Sequence, residues 1–394
     1  MRKTLLSASL LLSFAIASPL AMARAPFVVD THIDAPEQLM QHWVDLGTNT
    51  ADRQFDGPKA HAGGLGVAFM SIYTSPAQDG DGTAWQVANQ MIDSVEALAQ
   101  RHPDQFALLV SPRDAERQVA DGRVLLPLGM ENAAPLGDKL GNVRFFFDRG
   151  VRYITLAHSA NNRLADSSYA LEKKWNGLSP FGREVVREMN RLGIMVDVSH
   201  LGDASAREAI ALSTVPVIAS HSAFRHFTPD FERNISDELA RAIAAKGGVV
   251  QVPFGTAFID PASAADTQAH FRAINDFNRR NAERKAQGQP ELPRADFDKQ
   301  WQAAHPPRQS TLAQVLDQID YGVKLLGVDH VGIGSDFDGV DGELPGELKT
   351  VADYPNLVAG LQARGYKDGD IRKLLGGNLL RAWTAIEAGA QAAR

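Results

Sequence analysis

Short apolar runs alternate with longer amphipathic segments along almost the whole of this chain, and that alternation constrains its fold more than any other feature. A run of about four to eight apolar residues suits a buried strand, and the amphipathic stretch after it suits a helix that covers the strand. Repeating the pair gives βα units around a parallel sheet. The strand candidates are 27–31, 67–73, 124–130, 153–157, 194–199, 215–220, 249–253 and 331–335, eight in all, with 106–110 as a competing ninth. The count therefore supports a (β/α)8 TIM-like barrel without proving it. Between the strands lie helical patterns. In 182–192, Val185, Val186, Met189 and Leu192 recur at helical steps after a Ser179-Pro180 start signal, and 312–326 behaves similarly.

A length of 394 residues falls within the range of one barrel with insertions, so residues 24–394 are expected to form a single domain. One segment, 260–308, breaks the pattern: it is polar and punctuated by Pro290, Pro293, Pro306 and Pro307. It reads as an insertion before the last strand, equally compatible with a helical lid or oligomer contact at the barrel mouth and with a solvated excursion. At the other end of the chain, Arg2 and Lys3 precede an apolar stretch over 5–16 and a small-x-small site at Ala21-Met22-Ala23. Serines and Pro19 interrupt that stretch before it reaches the length of a membrane span, so residues 1–23 are expected to be a cleaved signal peptide and the mature chain periplasmic or secreted.

No cysteine is present, so an exported chain must be stabilised by its core and any bound metal instead of disulfides. No second stretch approaches spanning length. Cleavage after Ala23 would take the formal charge from −7 to −9, which argues against nucleic acid as a partner.

Ionisable residues of metal-binding type follow separate strand candidates. His32 and Asp34 follow the first, Glu131 the third, His158 the fourth, His200 the fifth, His221 the sixth and Asp336 the eighth. In a barrel all these strand ends meet at one face, where such folds build their sites. His32 and Asp34, two apart, point to the same side of an extended backbone. Each residue alone reads as well as a capping carboxylate or a half-buried imidazole. Together, His32, Asp34, Glu131, His200 and His221 mix imidazole and carboxylate in the way a divalent ion such as zinc prefers. A carboxylate such as Glu131 can bridge two ions. Asp336, in Gly334-Ser335-Asp336-Phe337-Asp338-Gly339, reads as a proton carrier, unless it or Asp338 only caps a turn. His158 can donate to a developing oxyanion, or make an ordinary strand-end hydrogen bond. Arg233 can clamp a substrate carboxylate, or be a capping or salt-bridged arginine.

The chain has no phosphate-binding G-x-x-x-x-G-K-[ST] loop and no G-x-S-x-G elbow, and Gly63-Gly64-Leu65-Gly66 precedes a strand, which marks a turn. Taken in order, Thr31-His32-Ile33-Asp34, Gly129-Met130-Glu131, Thr155-Leu156-Ala157-His158-Ser159, Asn176-Gly177-Leu178-Ser179-Pro180-Phe181-Gly182, Asp197-Val198-Ser199-His200, Ser220-His221-Ser222, the 334–339 motif and Gly377-Asn378-Leu379-Leu380-Arg381 resemble the membrane dipeptidase (renal dipeptidase) family of zinc metallopeptidases. The resemblance runs from about Asp30 to Trp383. It implies a (β/α)8 barrel with two zinc ions per chain, one on His32 and Asp34, the other on His200 and His221, bridged by Glu131. It further implies that a hydroxide held by the zinc ions attacks a dipeptide's carbonyl, that His158 stabilises the oxyanion, that Asp336 shuttles the proton and that Arg233 grips the C-terminal carboxylate. Arg225 is the fallback for Arg233, because the stretch from His221 to Arg233 looks rearranged. A dipeptide is the expected partner, and a second copy of the chain a candidate one.

Two rivals remain. A lactonase or deaminase on a similar barrel typically carries H-x-H on the first strand, where this chain has Asp34, and sometimes a modified lysine on the fourth, where 153–157 has none. A noncatalytic periplasmic binding protein would hold no metal.

Overall fold

Ten parallel strands form where the apolar runs predict them, in a computed structural model that describes residues 27–392. The expected signal peptide, 1–23, lies outside the described residues. The strands are β1 (Val28–Ile33), β2 (Leu65–Tyr73), β3 (Phe106–Leu108), β4 (Val124–Leu126), β5 (Leu128–Glu131), β6 (Val151–Thr155), β7 (Met195–Asp197), β8 (Ile218–Ala219), β9 (Val249–Val252) and β10 (Val331–Ile333). Hydrogen bonding runs from β1 to β2, then through β5, β6, β7, β8 and β9 to β10. β10 returns to β1 through a parallel bridge between Ile33 and Phe337, with Asp34 N donating to Phe337 O at 2.8 Å and Asp336 N to His32 O at 3.1 Å. The eight strands of this circuit make a TIM-like barrel.

The single run expected at 124–130 is two strands, because Pro127 has no N–H to continue a ladder. β4 pairs with the start of β2 at Val67, and β5 pairs with its later residues from Met70 onward. The competing run at 106–110 is also a strand, β3, but it pairs only with β4 and lies outside the circuit.

Inside the circuit the side chains are graded along the axis. Val29, Val67, Phe69, Tyr153, Met195 and Ile218 form an apolar lower layer, closed by Leu379, Trp383 and Ile386 of the C-terminal helix Asn378–Ala392. Buried polar groups fill the upper end, among them Thr31, Ser71, Glu131, Thr155, Asp197 and Ser220. Outside, helices such as Pro180–Leu192 and Leu312–Leu326 bury their apolar stripes against the strands. The start signal at Ser179 is a true cap, its Oγ accepting from Gly182 N at 2.9 Å, and Gly193 ends the helix in the left-handed conformation.

The 260–308 insertion is largely helical, with helices Pro261–Ala286 and Arg294–Ala304 joined by an aromatic seam. Phe277 meets Phe297 at 4.9 Å between centroids, and His270 stacks on Trp301 at 4.8 Å. The start of the first helix lies on the barrel, with Ser263 and Ala264 buried and Gln268 Nε2 donating to Asp230 O at 2.6 Å. Beyond that start most of the segment is exposed, and Arg294–Ala304 has no buried residue. No helix among the described residues is long and apolar enough to cross a membrane.

Candidate metal centre

Every metal-type residue singled out in the sequence stands at, or within three residues of, the C-terminal end of a circuit strand, so closing the barrel draws them together. Glu131 is the hub. Its Oε2 faces His32 Nε2 at 3.3 Å, while its Oε1 faces His200 Nε2 at 3.0 Å, His221 Nε2 at 3.3 Å and His158 Nε2 at 3.6 Å. His32 Nε2 also lies 3.4 Å from Asp34 Oδ2 and 3.8 Å from Asp336 Oδ1. One carboxylate thus joins two donor groups, His32 with Asp34 and Asp336 on one side, His200 with His221 on the other.

Proton accounting shows what these groups lack. Ser220 Oγ donates its one proton to Asp197 Oδ2 at 2.7 Å, so its 2.8 Å contact with His221 Nδ1 must be donated by the imidazole. That leaves His221 Nε2 as a bare lone pair. Arg233 Nη2 lies 3.0 Å from His200 Nε2, and because arginine only donates, His200 Nε2 is a lone pair as well. The two nitrogens are 2.8 Å apart with a carboxylate oxygen beside both, three electron-pair donors facing one another with no proton between them. In the other group, His32 Nε2 and Asp34 Oδ1 are buried without hydrogen-bond partners.

A cation resolves both conflicts. Donor atoms about 2.0–2.2 Å from a tetrahedral ion are separated by roughly 3.3–3.6 Å, the spacing of His32 from Asp34 and Glu131 and of His221 from Glu131, with the two His200 contacts slightly shorter. The residues fit a metal. Outer partners hold these side chains in place: Tyr153 OH meets His32 Nδ1 at 2.7 Å, and Asp197 also accepts from Ser220 N at 2.8 Å.

The electrostatics of His200, His221 and Glu131 agree. His200 and His221 are held well below the usual imidazole range, chiefly by burial and then by neighbouring positive groups, so both stay neutral and ready to ligate. Burial disfavours a charge on His32 too, but Tyr153, Glu131 and Asp34 outweigh it and raise its pKa. Glu131 is buried, yet the surrounding imidazoles keep its carboxyl well below the ordinary value. Asp336 is pushed well above its ordinary value by burial, reinforced by Asp34 and Glu131. His200 and Asp336 both sit in the left-handed region, at φ 66° and 67°, a conformation costly for residues with a Cβ and often found at functional sites.

The alternatives left open by the sequence separate cleanly. Asp338 ties down the distant segment at Gln54 and Phe55, accepting from Gln54 N at 2.9 Å and Phe55 N at 3.2 Å, whereas Asp336 lines the site. Arg225 is committed to Asp203 at 2.6 and 2.8 Å and faces away from the centre. Arg233 is buried beside it, donating to Ser222 Oγ and His221 O at 2.9 Å with its guanidinium 4.7 Å from the centre of the Phe258 ring.

Above Glu131 opens a cavity of about 300 Å³. Asp34, His158, His200 and Asp336 form its metal side, and Glu37, Tyr73, Tyr169, Phe258 and Phe271 its outer walls. None of those outer residues was singled out in the sequence. Tyr73 ends β2, a strand-end position that could have been read, and Tyr153 is two residues before Thr155 on the same inward face. Tyr169 and Phe271 come from a loop and from the insertion, and no periodicity points to them. A larger hollow of about 740 Å³ lies between the insertion and residues 341–344, but it carries none of the candidate ligands.

A family model described as membrane dipeptidase (peptidase family M19) matches residues 18–394. The chain belongs to that family. The match makes it one of the dipeptidases of the M19 metallopeptidases, a family that uses metal ions. Dipeptidase tcpJ of Claviceps purpurea (strain 20.1) is 28% identical over 332 residues, 82% of this chain and 67% of that protein. The probable dipeptidase PvdM of Pseudomonas aeruginosa has a crystal structure that superposes with a TM-score of 0.77 at 30% identity, covering 92% of this chain and 96% of that one. A metallopeptidase of Rhodobacter sphaeroides, liganded with a phosphinate mimic of the dipeptide L-Ala-D-Ala, has the same fold, with a TM-score of 0.74 at 24% identity over 92% of this chain and 99% of that one.

Proposed function

We propose that this membrane dipeptidase family member hydrolyses dipeptides with a free C-terminal carboxylate, using two zinc ions held by His32, Asp34, Glu131, His200 and His221. The observation that carries the reading is the two-sided placement of Glu131 among bare nitrogen lone pairs and unpartnered carboxylate oxygen. A pair of zinc ions supplies Lewis-acid chemistry there, lowering the pKa of water and polarising a carbonyl.

The chain's own residues supply the rest. Asp336, 3.8 Å from His32, takes the proton from the attacking water and returns it to the leaving amine. His158 is held below its ordinary pKa, mainly by burial, and in its neutral form donates from one ring nitrogen to the developing oxyanion. Arg233 clamps the C-terminal carboxylate. Its Nε has no partner, and the Nη2 donor aimed at His200 is released once that lone pair is taken by a metal.

The test is hydrolysis of L-Ala-L-Ala and L-Ala-D-Ala by the purified protein before and after chelation, with metal content measured in parallel. Activity that vanishes on chelation, returns with zinc and is lost in His200→Ala is expected, with about two ions per chain. Full activity in the metal-free protein or in His200→Ala would overturn the reading.

A further inference from the structure

The insertion is the part of the chain that this chemistry leaves unused, and it reaches the site at one point. Phe271, on the helix Pro261–Ala286, stacks on Tyr169 with ring centroids 4.1 Å apart and planes inclined by 21°. Tyr169 comes from the loop after β6. Its ring packs edge-on against Phe231 at 6.2 Å and lies 6.0 Å from His200, the imidazole that Arg233 Nη2 reaches at 3.0 Å. Gln268, about one turn before Phe271, ties the helix to Asp230 O. The stack is therefore held on both sides, one ring by Phe231 and His200, the other through its helix.

Both rings line the metal cavity of about 300 Å³. Both also line a second cavity of about 230 Å³, bounded on its far side by Leu171, Lys173, Glu232 and Arg272. The stack is the partition between the two. On the metal side the space is at the small end of the range of about 300–1,000 Å³ usual for small-molecule sites.

We propose that the Tyr169–Phe271 partition sets the upper size limit on the C-terminal residue of the dipeptide. The proposal rests on the reading of Arg233 as the group that holds that residue's carboxylate. Arg233 lies over Phe258 and beside His200, against which Tyr169 sits, so a carboxylate held there directs its own side chain toward Tyr169, Phe258 and Phe271. A small side chain fits beneath the stack. A large one must displace two rings that are already packed against each other, and such overpacking is unfavourable. Tyr73 and Glu37, which also line the cavity, are left for the side chain of the N-terminal residue.

The test uses metal-loaded wild type, Phe271→Ala and Phe271→Trp with L-Ala-L-Ala, L-Ala-L-Trp and the reversed L-Trp-L-Ala, reading kcat/KM for each. Phe271→Ala joins the two cavities and should raise the ratio of L-Ala-L-Trp to L-Ala-L-Ala at least about tenfold, while Phe271→Trp lowers it. The ratio for L-Trp-L-Ala should stay within a few-fold of wild type, about. An unchanged or opposite ratio in both variants, with L-Ala-L-Ala still cleaved, overturns the partition alone. The same is true if the two bulky substrates shift together. Failure of metal-loaded wild type to cleave any of the three overturns the dipeptidase reading, and the partition with it.

Discussion

Glu131 divides its two carboxylate oxygens between two sets of donors, and the residues around it leave little room for change. Gly339 shows how little: a Cβ there would lie 2.2 Å from Asp34 Oδ2 and 2.6 Å from Asp336 Oδ1. Gly339→Ala should therefore displace both carboxylates and lower metal content and activity together, with the fold kept by far-UV circular dichroism; unchanged metal content would refute the argument. Glu37, on the outer wall, gives a test by pH. Burial first, then the charges of Asp34 and Glu131, raises its carboxyl from 4.5 to about 7. A carboxyl raised in the folded state binds its proton more tightly there than in the unfolded chain, so its contribution is fully present below pH 4.5 and is lost as pH rises through about 7. In chelator, wild type should lose Tm relative to Glu37→Gln across that window. Metal loading, which neutralises Asp34 and Glu131, should shrink the difference. Parallel Tm curves for the two metal-free proteins would show that Glu37 is not perturbed.

At the scale of elements, the ends and faces of helices were legible where local chemistry decides them. Ser179-Pro180 starts Pro180–Leu192 through a cap, an interaction that spans only a few positions. Strand pairing was less legible. The run at 124–130 reads as one strand until Pro127 is seen dividing it between two stretches of β2, and the run at 106–110 has a strand's composition but no place in the circuit. Partner choice depends on segments far apart in the chain, which periodicity does not encode. The C-terminal helix shows the same point. Trp383 is fully buried beneath the barrel, 5.4 Å from Phe69 between ring centroids. Trp383→Ala should cost about 3–5 kcal/mol in denaturant unfolding. A loss under about 1 kcal/mol would mean that the helix does not plug the barrel.

For the whole molecule, the candidate metal centre and the closure of the sheet are one feature, because β10 meets β1 through the bridge that also positions His32, Asp34 and Asp336. Chelation should therefore lower Tm as well as remove activity, by about 4 kcal/mol of linkage for metal at a thousandfold excess over its Kd. An equal Tm with and without metal would separate the two. We further propose export, with N-terminal sequencing of the mature chain expected to begin after Ala23; a mature chain that still carries residues 1–23 would refute it. By itself the sequence determined the barrel class, the strand-end placement of His32, Asp34, Glu131, His200 and His221, and the family, because alternating hydrophobicity and short ordered motifs are local properties of the chain. Only the tertiary structure decided that Asp336 enters the site while Asp338 holds the distant segment at Gln54, that Arg233 and not Arg225 stands behind it, and that Phe271 of the insertion walls the cavity with Tyr169. Those choices depend on which distant segments meet across the barrel mouth, and residues 100 apart in sequence carry no local sign of being neighbours, about as far as Tyr169 is from Phe271.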